Sequence, residues 1–373
     1  MVRFPRRPRG GGSEGHPAIE LLPCFTIDGP TSRALDDALW IEMAPGGGGV
    51  RLFVHITNVA AHLDPAHPSF EMAAERVATR YHPAGNTLML PRSISEQNAS
   101  LLPFSSREAS TVEIDITTTG DVERTRVYPS TILSRAKLTY AQVPEILADP
   151  TAKLHPRVKL LSELALTLLS RRRAHGALAL YDLHNGWVST EEGWLKRVDH
   201  DDATVGYVIV QETMILANEA FARFAIANDI PIPYRNHTAR AAAPDRAVLR
   251  QQIDLAMMGP VQGIERVREQ TSLLLNRASY GASVLGHYGL NLPAYTHMTS
   301  PIRRFADLVT QQQMFAFLLG KPFPHTPEAI AAFGQRINDK LAADRAASEA
   351  RWRERAAQSA EQALEAQSFD GLN

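Results

Sequence analysis

The sequence predicts an α+β protein built as one large domain. Hairpin signatures fall in the first third of the chain, helical periodicity dominates afterwards, and no Pro/Gly/Ser-rich linker divides the 373 residues into two cores. Hydrophobic residues make up 44% and charged residues 21% of the chain, which is ordinary for a globular protein. The chain can therefore bury a substantial core.

Two strand pairs are predicted before residue 130. The apolar runs 38–43 and 50–56 are joined by Ala-Pro-Gly-Gly-Gly-Gly, which is typical of a hairpin with a longer loop. The runs 111–116 and 122–128 flank Thr-Gly-Asp and form a second hairpin. These four strands predict a sheet in the amino-terminal third.

Apolar residues then recur at helical spacing through the rest of the chain. The predicted helices are 140–147, 156–175, 207–228, 245–257, 264–278, 300–319 and 327–367. The last of them is highly charged and rich in Ala, so we expect it to lie across the surface. No internal repeat is visible, which argues against a solenoid.

Composition narrows the class of protein. A net charge of −1 is unlike a dedicated duplex-binding module, although an enzyme that threads one strand can carry its positive charge inside a channel. Cys24 is the single cysteine, so we expect no intramolecular disulfide and a reducing compartment. There is no apolar run of membrane-spanning length and no secretory signal. We expect a cytoplasmic monomer with no membrane contact and no obligate protein partner.

Three acidic residues gather beside the first predicted strand, at Asp28, Asp36 and Asp37. Asp is a poor strand residue and adjacent carboxylates repel, so this placement needs a cation or many donors. Mg²⁺ fits best because it takes oxygen ligands and is usually held by one or two carboxylates plus substrate phosphates, with Mn²⁺ as a substitute. A solvated acidic loop or a helix N-cap remains the alternative.

A second motif, residues 295–308, reads as an extended entry followed by a helix. Ser300 suits the N-cap and Pro301 the first helical position, so free amides would lie beside Arg303 and Arg304. Such a helix terminus predicts an anion-binding site at Ser300, Arg303 and Arg304. Arg304 is expected to be structural, because adjacent helical residues do not share a face.

Both motifs resemble the catalytic domain of the ribonuclease II/ribonuclease R family, also called the RNB family, in order and separation. Weaker matches lie between them at 52–56, 89–92, 137–140 and 211–218. The resemblance covers the chain from about Leu21 to the terminal helix. It implies a mixed β-sheet core surrounded by helices, with an internal RNA channel.

The resemblance also implies a division of the chain. We expect a flexible basic arm over residues 1–16, the catalytic domain over 17–325, and a long helix over 326–373 that packs on that domain. The OB-fold RNA-binding domains that flank the catalytic domain in this family are expected to be absent.

Roles follow residue by residue from the same resemblance. Asp28 and Asp37 would be metal ligands, Asp36 would hold the second metal or the attacking water, and the catalytic Arg303 would bind the scissile phosphate. The family usually carries a fourth acid six residues after the first, and Ala34 stands there. Reduced activity, a ligand from elsewhere, and an inactive RNA-binding descendant all stay open, and reduced but real activity is preferred.

Four side chains match family positions that contact the substrate. Tyr81 corresponds to a base clamp, and its usual Phe partner falls at Leu180 with Tyr181 beside it, where stacking and core packing are equally plausible. Tyr140 and Glu212 match positions near the terminal sugar, where a carboxylate accepting from the 2′-hydroxyl would distinguish RNA from DNA.

The expected function is therefore a magnesium-dependent 3′→5′ exoribonuclease that hydrolyses single-stranded RNA to nucleoside 5′-monophosphates. A catalytically impaired RNA-binding member of the family is the first alternative. An unrelated magnesium phosphohydrolase acting on small phosphate esters is the second.

Overall fold

The computed structural model describes residues 21–81, 85–178, 187–189, 195–197, 204–257 and 273–370. Within these ranges the predicted α+β arrangement is confirmed, with a sheet near the amino terminus and helices after it. The predicted basic arm at 1–16 lies outside the described residues, and so does Tyr181.

Five strands close into a barrel. They are β1 (Leu21–Asp28), β2 (Asp37–Met43), β3 (Gly49–Thr57), β4 (Ser106–Thr117) and β5 (Val122–Thr139). Neighbours are antiparallel except β1 and β5, which run parallel and complete the barrel. The predicted mixed sheet and both predicted hairpins are confirmed. Strand β1 and the closure were not predicted, and closure removes the exposed edges of the sheet.

One face of the barrel sheet forms the main core with two long helices. Alternate residues on neighbouring strands, such as Ile41, Leu52 and Ile114, are fully buried in register with one another. They belong to the same apolar cluster as Leu161 and Phe221, which lie on the helices His155–Ala174 and Thr204–Ala227. This packing anchors the strand ends that carry the acidic residues.

Seven α-helices are described outside the barrel. They are α1 (Pro68–Arg76), α2 (Gln142–Ala148), α3 (His155–Ala174), α4 (Thr204–Ala227), α5 (Arg246–Met257), α6 (Phe305–Leu318) and α7 (Pro327–Asp370). Two short strand pairs join 187–189 to 195–197 and 234–236 to 279–281. Most of the helix predicted over 264–278 lies outside the described residues, and its end is wrong because Leu275 forms a bridge with Ala239.

The helix predicted over 300–319 begins five residues later than expected, at Phe305. Residues 301–303 form a turn instead, in which the Arg304 amide donates to the Ser300 carbonyl at 3.0 Å. The Ser300 amide is held by Asp307 Oδ1 at 2.8 Å. Ser300 is therefore not the N-cap, and the predicted cap is wrong because a carboxylate inside the helix captures the preceding main chain.

Helix α7 packs through Ile330 and Ile337 against a second apolar cluster that includes Phe70 and Phe305. Whether the chain divides at residue 325 as predicted stays a prediction. Across the described ranges, no helix combines the length and the apolarity needed to cross a bilayer.

Candidate active site

The ends of two barrel strands bring the acidic residues together. Asp28 is the last residue of β1 and Asp37 the first of β2, and the register that places Phe25 opposite Leu39 places Ile27 opposite Asp37. The connecting loop is held by Lys137, whose Nζ donates to the Ser32 carbonyl at 2.6 Å. The acids therefore meet at one end of the barrel.

Asp36 links this end of the barrel to the turn before α6. Its Oδ1 accepts from the Ile302 amide at 2.8 Å and its Oδ2 from Arg303 Nε at 3.1 Å. Burial raises the pKa of Asp36 to about 6, and the Arg303 charge and the Ile302 amide oppose that rise. The two sequence motifs, 266 residues apart, are thus in direct contact.

The two adjacent arginines have different partners. Arg304 donates from Nε and Nη2 to the carboxylate of Asp307, at 2.9 and 2.7 Å, and also reaches Thr299 Oγ1 at 3.3 Å. Asp307 is fully buried, so this pair belongs to the protein interior and agrees with the structural role expected for Arg304. The side chain of Arg303 remains 22% exposed and faces the acidic run.

The charges of Asp28 and Asp37 are not balanced in the same way. Burial raises the pKa of Asp28 to about 6 against the influence of the nearby Thr26 hydroxyl, Lys137 and Arg303. The pKa of Asp37 lies well above its ordinary value, first because of burial and then because Asp28 and Asp36 repel its charge. Within the described residues, neither Asp28 Oδ2 nor the Thr26 hydroxyl makes a hydrogen bond of acceptable geometry.

An uncompensated pair of carboxylates suits a divalent cation that is completed by water and substrate phosphate. The predicted ligand set of Asp28, Asp36 and Asp37 stays a prediction. Among the residues that the structure describes, no three His, Cys, Asp or Glu side chains are grouped as metal ligands. Asp36 turns toward Arg303, which leaves Asp28 and Asp37 as the residues that could hold the cation.

Ala34 occupies the position of the missing acid. It is half-buried and packs against the apolar cluster that contains Ile302 and Phe305. An acidic side chain at residue 34 would replace this apolar contact. We use the term acidic pocket for the site formed by Asp28, Asp36 and Asp37.

Tyr140 reaches this pocket from the end of β5. Its amide donates to the Asp28 carbonyl at 3.3 Å, and its ring stacks on that of Tyr207 with the centroids 3.8 Å apart and the planes at 10°. Burial, followed by the charges of Asp37 and Asp28, raises the pKa of the Tyr140 phenol above its usual range. The hydroxyl therefore stays protonated near the acids. Tyr207 was not identified from the sequence, because only the fold brings α4 against Tyr140.

Glu212 is buried and already has strong partners. Arg172 donates to it from Nε at 3.1 Å and from Nη2 at 2.5 Å, and Gln211 adds a contact at 3.1 Å. An interaction with a sugar hydroxyl would have to use the remaining lone pairs of the carboxylate. The predicted substrate role of Glu212 stays a prediction, and Arg172 is the residue that sequence reasoning missed.

The remaining predicted contacts are less close to the acids. Tyr81 is 52% exposed, as a base clamp requires, but its role stays a prediction. Ser300 is 2% exposed and is held through its main chain by Asp307 and Arg304, so it supports the turn from behind. The channel expected between these residues also stays a prediction.

Comparison with known proteins identifies the family. The RNB domain matches residues 18–320. The chain belongs to the RNB family. Over 330 residues it is 31% identical to ribonuclease R of Escherichia coli K12, covering 82% of this chain and 40% of that protein.

Two solved structures show how widely this fold is shared. Mycoplasma genitalium RNase R in complex with ribose-methylated single-stranded RNA superposes with a TM-score of 0.69 at 23% identity, over 86% of this chain and 54% of that one. Yeast Ssd1, described as a pseudonuclease, superposes with a TM-score of 0.67 at 23% identity, over 86% and 42%. This chain spans about half the length of these proteins or less, and its fold occurs in a ribonuclease and in a pseudonuclease alike.

Proposed function

We propose that the chain is a magnesium-dependent exoribonuclease that hydrolyses single-stranded RNA in the 3′→5′ direction and releases nucleoside 5′-monophosphates. The observation that carries the proposal is the double contact of Asp36 with Ile302 and Arg303. It fixes a guanidinium beside two buried carboxylates whose pKa values stay raised despite the nearby cations. Support for the RNA substrate comes from the likeness to ribonuclease R.

Each side chain has a defined task in this proposal. Arg303, oriented by Asp36, binds a non-bridging oxygen of the scissile phosphate, for which a guanidinium is well suited. Asp28 and Asp37 hold the divalent cation, and Asp36 also orients the attacking water through its remaining lone pairs. When bound, magnesium neutralises phosphate charge and lowers the pKa of water.

Two further side chains position the end of the strand. The Tyr140 hydroxyl, kept protonated beside the acids, donates to the terminal nucleotide, and Tyr207 holds the Tyr140 ring in place. Tyr81 offers an exposed ring on which a base stacks without regard to sequence. Glu212, fixed by Arg172, lies ready to accept from a 2′-hydroxyl.

A second candidate is an RNA-binding member of the family with impaired catalysis. Its support is Ala34, which contributes an apolar contact where the family usually has an acid. The fold shared with a pseudonuclease is compatible with this candidate. Under this candidate the substrate contacts persist and turnover is lost.

An assay with end-labelled RNA separates the two candidates. The protein is incubated with RNA labelled at its 5′ end and with the matching DNA, first in Mg²⁺ and then in excess chelator. The proposal requires stepwise shortening from the 3′ end of RNA, release of 5′-monophosphates, and arrest by chelator. Retention of intact RNA under all conditions would contradict it and favour the second candidate, while cleavage of nucleotide esters alone would reject both.

A further inference from the structure

Phe104 combines strong exposure with an unusual backbone conformation. Its side chain is 80% exposed, and its φ of +60° lies in the left-handed region that bulky residues rarely adopt. Three other non-glycine residues in the described chain share this region, namely Val77, Asp229 and Asn291. Phe104 differs from them because it holds a large aromatic ring out in solvent. A strained, exposed aromatic indicates a contact with something outside the described fold.

The loop that carries Phe104 is rigidly held. The Phe104 amide donates to the Ser134 carbonyl at 2.8 Å. Arg107 spans the same loop, with its guanidinium donating to the carbonyls of Ser100, Ser106 and Gln97 at 3.0 to 3.1 Å. The ring therefore projects from an ordered support, and a rigid aromatic can bind a ligand at a low cost in conformational entropy.

This loop lies directly against the acidic run. The Leu101 amide donates to the Leu35 carbonyl at 3.0 Å, and Ser100 Oγ accepts from the Leu35 amide and donates to the Arg33 carbonyl. Asp36 is the next residue after Leu35. Phe104 is three residues beyond Leu101, a separation of at most about 11 Å along the chain. A strand that ends at the acidic pocket can reach the Phe104 ring within a few nucleotides.

Positive charge accompanies the ring. Arg135 follows Ser134, whose carbonyl binds the Phe104 amide, and its side chain is exposed. No carboxylate within the described ranges pairs with Arg135. Arg33 is 74% exposed and only loosely associated with Glu96, at 3.9 Å. An exposed aromatic ring near an arginine in the neighbouring strand is a combination that can bind a base together with a phosphate of single-stranded nucleic acid.

We propose that Phe104 and Arg135 form a second contact for single-stranded RNA outside the acidic pocket. Phe104 stacks on a base several nucleotides from the terminal one, and Arg135 binds a neighbouring phosphate. This inference takes its ligand from the proposed function but does not require cleavage. A protein occupant, such as residues 1–20 preceding the Leu21–Thr131 strand pairing, is the outcome that the test must reject.

Fluorescence of 2-aminopurine placed at successive positions of a 12-nucleotide RNA tests the stacking directly, in chelator so that no cleavage occurs. The proposal predicts quenching at one internal position with the unaltered protein and with Phe104→Trp. Phe104→Leu should abolish that quenching and weaken affinity about fivefold or more, since it keeps an apolar side chain but removes the π-face. A dinucleotide, which is too short to reach from the acidic residues to Phe104, should bind the unaltered protein and Phe104→Leu equally.

Two further measurements keep the inference falsifiable. Phe104→Asn, whose side chain tolerates the left-handed conformation, should raise the melting temperature while losing the stacking signal. If Phe104→Leu leaves long-RNA affinity and quenching unchanged, the inference is wrong. Faster proteolysis within residues 1–20 in that variant would then assign the ring to the chain's own amino-terminal segment. Phe104-dependent binding without any cleavage would support this inference while contradicting the proposed function.

Discussion

Two acidic sites lie in space beside the turn at residues 301–303, and the protein compensates their negative charges to different extents. Asp307 is fully buried and receives two hydrogen bonds from Arg304 and one from the Ser300 amide. Asp28 and Asp37, at the barrel end, raise each other's cost of ionisation, and one oxygen of Asp28 has no hydrogen bond within the described residues. We call the Asp307 site closed, because the protein supplies donors to its carboxylate, and the site of Asp28 and Asp37 open, because it lacks such donors.

The difference teaches how to separate structural from functional charge in this fold. A buried carboxylate that accepts hydrogen bonds from a protein cation has a structural role, because loss of the cation would leave its charge buried and unpaired. Glu212 with Arg172 is a second example. A buried pair that lacks such donors lowers stability unless something binds there. Asp36 lies between the two cases, because it is filled by donors but uses them to aim Arg303.

The largest effect on stability is expected from removing the cation that pairs with Asp307 in the closed site. Arg304→Met should lower the free energy of unfolding by about 3–5 kcal/mol, because it leaves Asp307 buried without its cation. Arg303→Met should cost less stability than Arg304→Met, because the Ile302 amide still donates to Asp36, but should lose turnover. Denaturant unfolding followed by circular dichroism measures the stability of both variants. Equal destabilisation by the two variants would contradict the distinction between the sites.

The next effect is catalytic. Asp36→Asn should reduce the rate of RNA hydrolysis at least about 100-fold, because the amide no longer holds the Arg303 guanidinium with a charged oxygen. RNA affinity measured by fluorescence anisotropy in chelator should stay within about twofold, since the arginines and stacking residues remain. Asp339→Asn, at an exposed position on α7, serves as the matched control. Full activity of Asp36→Asn would remove this residue from the mechanism.

A smaller effect concerns the open site in metal-free protein. The pKa of Asp28 is raised to about 6 from an ordinary value near 3.8, so the native state holds this proton more tightly than the unfolded state does. Ionisation therefore lowers stability as the pH rises from about 4 to 6, and the loss is absent below pH 4. In chelator, Asp28→Asn should be more stable than the unaltered protein by about 1–2 kcal/mol at pH 7 and equally stable at pH 4.

Paired unfolding curves across this pH range measure the difference. Asp339→Asn, at an exposed position on α7, controls for the removal of one carboxylate elsewhere in the protein. A constant difference between Asp28→Asn and the unaltered protein at all pH values would mean that Asp28 carries no unbalanced charge in the native state.

The smallest effect is expected at the position of the missing acid. Ala34→Asp should raise the magnesium-dependent rate or lower the Mg²⁺ concentration needed, by a few fold, because it adds an oxygen ligand beside the pocket. Ala34→Asn is the control, because it introduces an uncharged side chain of the same shape as Asp. An unchanged or slower Ala34→Asp enzyme would indicate a site rebuilt without that ligand, in line with the packing of Ala34 against the second apolar cluster.

Local patterns in the sequence were enough to predict the hairpins and most helices, and the resemblance to the RNB family implied that the acidic run and Arg303 share one site. They did not predict the closed barrel, because the parallel pairing of β1 with β5 joins segments about a hundred residues apart. The start of α6 was misplaced because Asp307, inside the helix, binds the Ser300 amide. Arg172 and Tyr207 were missed because tertiary packing, and not sequence spacing, brings them to their partners Glu212 and Tyr140.

The central claim is that Asp28 and Asp37 are left uncompensated so that a divalent cation and an RNA phosphate can complete the site. Electron paramagnetic resonance of Mn²⁺ titrated into the protein with a short uncleaved RNA analogue tests this most directly. We expect tight, saturable Mn²⁺ binding that is lost in the Asp28→Asn/Asp37→Asn double variant and retained in Asp339→Asn. Equal Mn²⁺ binding by the double variant and the unaltered protein would contradict the account.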